Sequence, residues 1–266
     1  MKKIFSLLLI LFQPLLSSFT LVGEGVRGKV FQHTQEDGKT IAIKTYHNKQ
    51  ELEEKYGVED LSNVFAEDGT SFKAVHAYNV SQQLDHPAIL KIYAIKNKIE
   101  ANGQVHTCLE MEYVEGKTLL ITEPASQSLD QAVKNALTLI NALQYGFTQN
   151  LIYIDLWPGN IMFDQEDALK LIDIEDFFSL DLFLDDPQAN RQNIHREFLQ
   201  RVIKALVKIL ACAPLSEENI HALGELLVAV LVPYGDKIDQ PVTSDSAALF
   251  MTLLDDLHEV ISGLNR

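Results

Sequence analysis

The order of strand-like and helix-like segments is the feature that most limits what this chain can fold into. Residues 19–46 alternate between runs of strand-forming residues and turns, with a glycine-rich turn at residues 23–28 and an Asp37-Gly38 pair. Asp-Gly suits the positive φ angle that a tight hairpin turn needs. This segment therefore predicts three strands joined by tight turns.

Residues 49–84 are predicted to be helical, in three segments. The first two end at Gly57 and Gly69, since glycine often follows the last turn of a helix, and the third opens with Thr70 and Ser71 as capping residues. Residues 88–116 return to strands.

After Gly116 the chain becomes mainly helical. Residues 128–147 carry apolar residues at three- and four-residue spacing, which predicts a long buried helix. Short strands follow, and then three helical segments at about 190–212, 216–232 and 245–263. We therefore expect an α+β fold with two lobes, a β-rich one over residues 19–115 and a reduced, mainly helical one over residues 116–266.

Composition excludes some classes of partner. The chain has 22 Lys and Arg against 37 Asp and Glu, a net charge of −15, so phosphate backbones repel it and nucleic acid is not expected as a partner. Cys108 and Cys212 each lie in an apolar segment, which favours two buried thiols over a disulfide or a nucleophile.

Residues 1–18 have the three-part form of a secretory signal: two lysines, an apolar stretch and small polar residues. The apolar stretch is too short for a transmembrane span. Pro14 interrupts it and no Ala-x-Ala cleavage pattern follows. An uncleaved anchor or an apolar helix packed on the domain is therefore the alternative. The protein is secreted or membrane-attached if this segment is a signal or anchor, and cytoplasmic otherwise.

Residues 23–30 form a G-x-G-x-x-G-x-V motif, built from Gly23, Gly25, Gly28 and Val30. Glycines let a backbone approach phosphate oxygens closely and turn sharply between strands. A strand follows the motif, whereas a dinucleotide-binding motif is followed by a helix. Lys44 ends the third strand, where its charge could reach phosphates under the loop. The alternative interpretation is an ordinary glycine-rich hairpin beside a solvated lysine.

A polar loop, residues 153–160, interrupts two runs of strand-forming apolar residues with the sequence YIDLWPGN. Asp155 and Asn160 are five residues apart on this strand–loop–strand. The spacing can aim two oxygen-bearing side chains at one point.

Six segments, taken in order, resemble the protein-kinase-like phosphotransferase superfamily over residues 19 to about 180. They are GEGVRGKV (23–30), AIK (42–44), LDHPAILKIYAI (84–95), LEMEYVEGKTL (109–119), YIDLWPGN (153–160) and LIDIE (171–175). The Pro-Gly-Asn of the fifth segment also resembles small-molecule kinases of the aminoglycoside and choline type. The resemblance implies a bilobal kinase-like fold.

The same resemblance implies a phosphotransferase that uses ATP and Mg²⁺ and acts on a hydroxyl of a protein or a small molecule. Asp155 would orient or deprotonate the attacking hydroxyl, while Asn160 and Asp173 would hold the metal.

For the nucleotide, the resemblance implies that the glycine loop and Lys44 bind the phosphates. Lys44 is therefore predicted to be a catalytic residue as well as a cofactor-binding residue. Adenine would meet backbone groups of residues 112–114, with Glu112 and Val114 as the binding residues.

The chain also departs from the pattern it resembles. Tyr153-Ile154-Asp155 stands where many kinases have His-Arg-Asp, and Trp157 where protein kinases often carry a lysine. Asp173-Ile174-Glu175 replaces Asp-Phe-Gly, and the third predicted helix has no glutamate to pair with Lys44. A pseudokinase acting as a nucleotide-gated binding module is therefore the alternative function, and transfer of AMP is a third.

Five basic residues lie in the first of the three C-terminal helical segments: Arg191, Arg196, Arg201, Lys204 and Lys208. Apolar residues at four-residue spacing accompany them, which favours a core helix with a solvated basic face. A site for a substrate anion is the alternative.

Overall fold

The structure, a computed structural model, describes residues 19–57, 64–99, 103–182, 194–235, 243 and 246–264. These residues form two compact units. The β-sheet unit comprises the described residues of Met1–Tyr78 and Ile92–Tyr113, and the helical unit those of Asn79–Lys91 and Val114–Arg266. A β-rich unit and a mainly helical unit confirm the predicted α+β class.

Five antiparallel strands make the sheet of the β-sheet unit, in the order β1-β2-β3-β5-β4. They are β1 (Phe19–Gly25), β2 (Gly28–Thr34), β3 (Thr40–Tyr46), β4 (Ile92–Ile99) and β5 (Val105–Glu112). Gly38, at φ 85°, provides the predicted tight turn between β2 and β3, closed by a hydrogen bond from Gln35 N to Lys39 O.

Two helices, α1 (Lys49–Tyr56) and α2 (Phe72–Ser81), lie between β3 and β4 in the chain. Asn48 and Glu51 start α1 with a capping box, and Gly57 ends it in the left-handed conformation, as predicted.

The prediction of a second helix ending at Gly69 is wrong for the residues that the structure describes there. Residues 64–71 form a turn in which Phe65 and Ser71 make an isolated β-bridge, and Ala66 N donates to Thr70 O. Gly69 takes its positive φ of 82° inside this turn instead of at a helix end. Glycine serves both kinds of position, so its presence alone does not distinguish them.

The helical unit combines four helices with two small sheets. The helices are α3 (Leu129–Thr148), α4 (Ile194–Leu210), α5 (Glu217–Leu231) and α6 (Ser246–Gly263). One sheet has the order β6-β8-β9, and the other pairs β10 with β7. Their strands are β6 (Gly116–Thr118), β7 (Leu151–Tyr153), β8 (Ile161–Asp164), β9 (Leu169–Leu171) and β10 (Phe177–Ser179).

An aromatic cluster in the core of the helical unit joins α3, α4 and α6. Phe147 lies 5.5 Å from Phe198 and 5.1 Å from Phe250 between ring centroids, and Phe198 lies 4.8 Å from Phe250. All three side chains are buried. Such aromatic contacts fix α4 against the centre of the unit.

Both cysteines are free, but only Cys212 is buried. Cys108 is half-buried, so the prediction of a buried thiol is wrong for this residue. It lies on the face of β5 where Thr45 of β3 is its neighbour, with Sγ 3.6 Å from the Thr45 hydroxyl oxygen.

The predicted signal or anchor, residues 1–18, lies outside the described residues and stays a prediction. Among the helices that the structure describes, none has the length and apolar character to cross a membrane.

Candidate active site

The loop after β7 is held between buried elements of the helical unit. β7 is buried throughout and pairs with β10, and Ile154 N extends that pairing by donating to Asp176 O at 3.1 Å. Residues 158–160 form one turn of 3₁₀ helix that begins with Pro158. The Trp157 ring lies over Gly159, where a Cβ would come within 2.2 Å of it, so a larger residue at this position would have to displace the ring.

Asp155 and Asn160 meet, as their spacing predicts. The Asn160 amide donates through Nδ2 to the Asp155 backbone oxygen at 3.0 Å and to its carboxylate Oδ2 at 3.3 Å. Asn160 is buried, at 5% exposure, and its backbone oxygen accepts from Ile172 N at 3.0 Å. The asparagine therefore connects the loop to the segment that leads into Asp173.

The other carboxylate oxygen of Asp155 is bound from a distant part of the sequence. Arg201 on α4 donates from a guanidinium N–H to Asp155 Oδ1 at 2.6 Å, and both side chains are 38% exposed. The sequence pattern favours a solvated basic face for Arg201, with a substrate-anion site as the alternative, and does not predict a contact with Asp155. No local pattern indicates the contact, because 46 residues separate the partners.

Tyr153 takes a structural role that sequence analysis also misses. Its hydroxyl donates to the Asp173 backbone oxygen at 3.3 Å, and its ring lies 4.6 Å from that of Phe177. Burial raises the pKa of the Tyr153 hydroxyl well above its usual range, and the nearby carboxylates of Asp173, Asp176 and Asp155 raise it further. The hydroxyl therefore remains protonated and keeps donating.

Asp173 follows β9, which is fixed by backbone hydrogen bonds to the segment around Ala88: Leu171 N donates to Ala88 O at 2.8 Å and Leu90 N to Leu171 O at 2.9 Å. Its carboxylate is one of a group of three with Glu175 and Asp176, whose ligand oxygens lie within 4.8 Å of one another. The last two are buried, at 1% and 4% exposure.

These side chains fit a hard divalent cation. Magnesium prefers oxygen ligands in octahedral geometry and keeps several waters. Asn160 commits its amide nitrogen to Asp155, so its Oδ1 is the atom of that side chain that can serve a cation. Asp173 adds a half-buried carboxylate, and Glu175 and Asp176 place two more acidic groups beside it.

In the β-sheet unit, the glycine motif forms the β1–β2 hairpin, with Gly25 opposite Gly28. Gly28 is required by the sheet itself, since a Cβ there would lie 2.1 Å from the Thr45 backbone oxygen. Gly25 is different, because among the described residues, its chain neighbours apart, no atom lies within 4 Å of the place a Cβ would occupy, and a Cβ at Gly23 would lie an ordinary 3.8 Å from the Val30 Cβ.

Val30 and Lys44 are cross-strand partners on β2 and β3. The Lys44 ammonium lies 5.2 Å from the centroid of the buried Tyr46 ring, within the range of a cation–π contact. Strand β2 therefore takes part in both features, pairing with β1 at the glycine hairpin and with β3 at Val30 and Lys44.

Glu112 is the last residue of β5 in the β-sheet unit and pairs in register with Ile41. Val114 belongs to the helical unit, as do Asp155, Asn160 and Asp173. The predicted catalytic aspartate and the predicted metal ligands thus belong to one unit, and the glycines, Val30, Lys44 and Glu112 belong to the other.

Comparison with known proteins identifies the family. A model described as "Protein kinase domain" matches residues 16–177. The serine/threonine-protein kinase OXI1 of Arabidopsis thaliana is 26% identical over 164 residues, 60% of this chain and 36% of the relative. The serine/threonine-protein kinase tousled-like 2 of Xenopus tropicalis is 31% identical over 125 residues, 44% of this chain and 17% of the relative.

A third relative, the serine/threonine-protein kinase PknG of Mycolicibacterium smegmatis, is 36% identical over 92 residues, 35% of this chain and 12% of the relative. The matches to these three relatives thus span 36% or less of their length. The resemblance to aminoglycoside and choline kinases stays a prediction. The family model matches more than half of the chain, and its match includes every residue predicted for the site. This chain belongs to the protein kinase domain family.

Proposed function

We propose that this protein is an ATP- and Mg²⁺-dependent phosphotransferase that moves the γ-phosphoryl group of ATP to a hydroxyl. The observation that carries the proposal is the hydrogen-bonded group of the helical unit: Asn160 holds Asp155, and Tyr153 holds the backbone of Asp173. Phosphoryl transfer requires carboxylates and an amide of this kind, and a hydrogen bond fixes each of these residues.

Phosphoryl transfer depends mainly on positioning and on neutralising charge, with little covalent work for the protein. Asn160 Oδ1 and the Asp173 carboxylate would hold Mg²⁺, which supplies charge neutralisation at the phosphates when bound. Asp155 accepts the hydrogen bond of the attacking hydroxyl and aims that oxygen at the phosphorus.

The glycine hairpin supports nucleotide binding by elimination. In the part of the chain that the structure describes, neither packing nor φ demands glycine at position 25, since no atom beyond its chain neighbours lies within 4 Å of a Cβ there and its φ is not positive. Glycine at this position would instead allow a ligand to approach the backbone closely. Backbone N–H groups in glycine-rich turns commonly bind phosphate oxygens.

The acceptor that we propose is a Ser or Thr hydroxyl of a protein, because the three relatives above are named serine/threonine-protein kinases. A small-molecule acceptor, favoured by the Pro-Gly-Asn sequence, is the other outcome of the test below.

The test compares the wild-type chain with Asp155→Asn, incubated with γ-labelled ATP, Mg²⁺ and a mixed panel of Ser/Thr peptides and small alcohols. The expected result is transfer by the wild type and a loss of about 10²-fold or more in the variant, which keeps the shape of the side chain but not its charge. Equal transfer by both proteins would contradict the mechanism, and label on peptides or on small alcohols decides the acceptor class. The mass added to the product, a phosphate or an AMP group, separates phosphoryl from nucleotidyl transfer.

One observation favours a second candidate, a pseudokinase that binds nucleotide without transferring phosphate. Helix α2 has the sequence FKAVHAYNVS, which contains no acidic residue and so departs from the helix glutamate that the resemblance implies. Thermal unfolding with ATP plus Mg²⁺, ATP plus EDTA, and neither, combined with the transfer assay, distinguishes the two. Stabilisation by Mg²⁺ and ATP without any transfer would favour the pseudokinase.

A further inference from the structure

Helix α4, which carries Arg201, is packed firmly into the core of the helical unit. Phe198, Val202 and Ala205, which flank it on the helix, are buried at 2% exposure or less, and Phe198 belongs to the aromatic cluster of the core. Lys204, one turn further along, is exposed. The helix therefore holds the Arg201 backbone firmly while the guanidinium reaches Asp155.

The Asp155 carboxylate is fixed through both of its oxygens. Arg201 binds Oδ1 at 2.6 Å and Asn160 binds Oδ2 at 3.3 Å. An ionised carboxylate has about four acceptor positions, so the two contacts leave room for the hydrogen bond of a hydroxyl. Two partners on the two oxygens restrict rotation of the carboxylate, which one partner alone would permit.

The loop itself supplies no cation. Residues 155–160 read DLWPGN, and position 157, two residues after the aspartate, is a half-exposed tryptophan with 43% exposure. The positive charge beside Asp155 therefore comes from Arg201. The family model ends its match at residue 177, so α4 lies beyond the part of the chain that the model covers.

We propose that Arg201 is the positioning residue of the reaction, holding the Asp155 carboxylate in the orientation in which it receives the attacking hydroxyl. The inference rests on the proposed function. In this arrangement the Asp155 carboxylate orients the hydroxyl and accepts its proton as the new oxygen–phosphorus bond forms and ADP leaves.

The test uses the full chain and measures ADP release from Mg·ATP with water as acceptor, a reaction that needs no identified substrate, together with transfer to the peptide panel. Arg201→Met removes the charge and keeps a long side chain. We expect kcat to fall about 10- to 100-fold while KM for ATP stays within about twofold, because positioning acts on the chemical step. Arg201→Lys should recover part of the loss, since lysine keeps the charge but not the planar fork.

Lys204→Met is the matched control, since it removes an exposed cation from the same helix and should leave kcat unchanged. Arg201→Ala adds a readout that a merely structural role would not move: millimolar guanidinium should restore turnover in this variant and have no effect on Lys204→Met. Thermal unfolding of each variant shows that it is folded.

Four results would overturn the inference. A folded Arg201→Met protein with wild-type kcat would show that the contact has no role, and a higher kcat would show that Arg201 restrains the site instead. Equal losses in Lys204→Met would assign the effect to the basic face of α4 as a whole. A wild-type chain without ADP release or transfer would overturn the proposed function and this inference together, so the two failures are distinguishable.

Discussion

Replacing Asn160 by alanine separates a structural role of this residue from its proposed role in holding Mg²⁺. The change removes two hydrogen bonds donated by Nδ2, one to the Asp155 backbone oxygen at 3.0 Å and one to its carboxylate at 3.3 Å. A neutral hydrogen bond contributes about 1 kcal/mol, and one to a charged group about 1.5–3 kcal/mol. The hydrogen bond to the Asp155 carboxylate should contribute about 1.5 kcal/mol, the lower end of that range, because the Asp155 side chain is 38% exposed and water screens its charge.

The free energy of unfolding should therefore fall by about 2.5 kcal/mol, which lowers Tm by about 5–10 °C in a protein of this size. The second and more specific effect concerns the ligand. Mg·ATP at about a hundredfold excess over its Kd should stabilise the wild-type chain by about 2.7 kcal/mol. Asn160→Ala should lose the part of this stabilisation that depends on Mg²⁺.

Asn135 provides a matched control in the same unit. It is also a buried asparagine, at 1% exposure, and its Nδ2 donates to Gln127 at 3.3 Å and to the Asp167 backbone oxygen at 2.8 Å. Its Oδ1 also accepts from Gln131 Nε2 at 3.3 Å, so Asn135→Ala should cost at least as much stability while leaving the effect of Mg·ATP unchanged.

The assay is thermal unfolding of the three proteins with ATP plus Mg²⁺, with ATP plus EDTA, and without ligand. An Asn160→Ala chain that still gains the Mg²⁺-dependent stabilisation would refute the assignment of Asn160 as a metal ligand. A loss of that stabilisation in Asn135→Ala would show that destabilisation alone explains the result.

Two further changes test other parts of the structure. Gly25→Ala should leave Tm nearly unchanged and weaken the stabilisation by Mg·ATP. Gly28→Ala should instead lower the free energy of unfolding by about 1–3 kcal/mol, because its Cβ would lie 2.1 Å from the Thr45 oxygen. A larger loss of Tm in Gly25→Ala than in Gly28→Ala would contradict this assignment. Burial, with Asp256 beside it at 2.7 Å, raises the pKa of Tyr234 to about 12. The folded state therefore favours the protonated phenol, so this stabilisation is complete below the unfolded pKa of about 10 and is lost as pH rises towards 12. Unfolding measured between pH 9 and about 12 should show a flatter decline in Tyr234→Phe than in the wild type, and equal slopes would rule this out.

Local chemistry decided which strands, hairpins and helices the sequence could predict. The Asp37-Gly38 turn and the helix end at Gly57 are present as expected, because each depends on the φ preferences of one or two residues. Gly69 was assigned to a helix end and lies in a turn beside the Phe65–Ser71 bridge. That choice depends on a pairing across the turn, which the local sequence does not encode.

By itself, the sequence determined the residue types of the site and their order, from Gly23 to Asp173, and the meeting of Asp155 with Asn160 across a five-residue loop. The tertiary structure decided what surrounds them. Arg201 reaches Asp155 because the aromatic core packs α4 at that place, and Tyr153 reaches Asp173 because β7 pairs with β10, the strand that follows Asp173 in the chain. Contacts over 46 and 20 residues depend on how buried faces pack together, and no spacing rule along the chain contains that information.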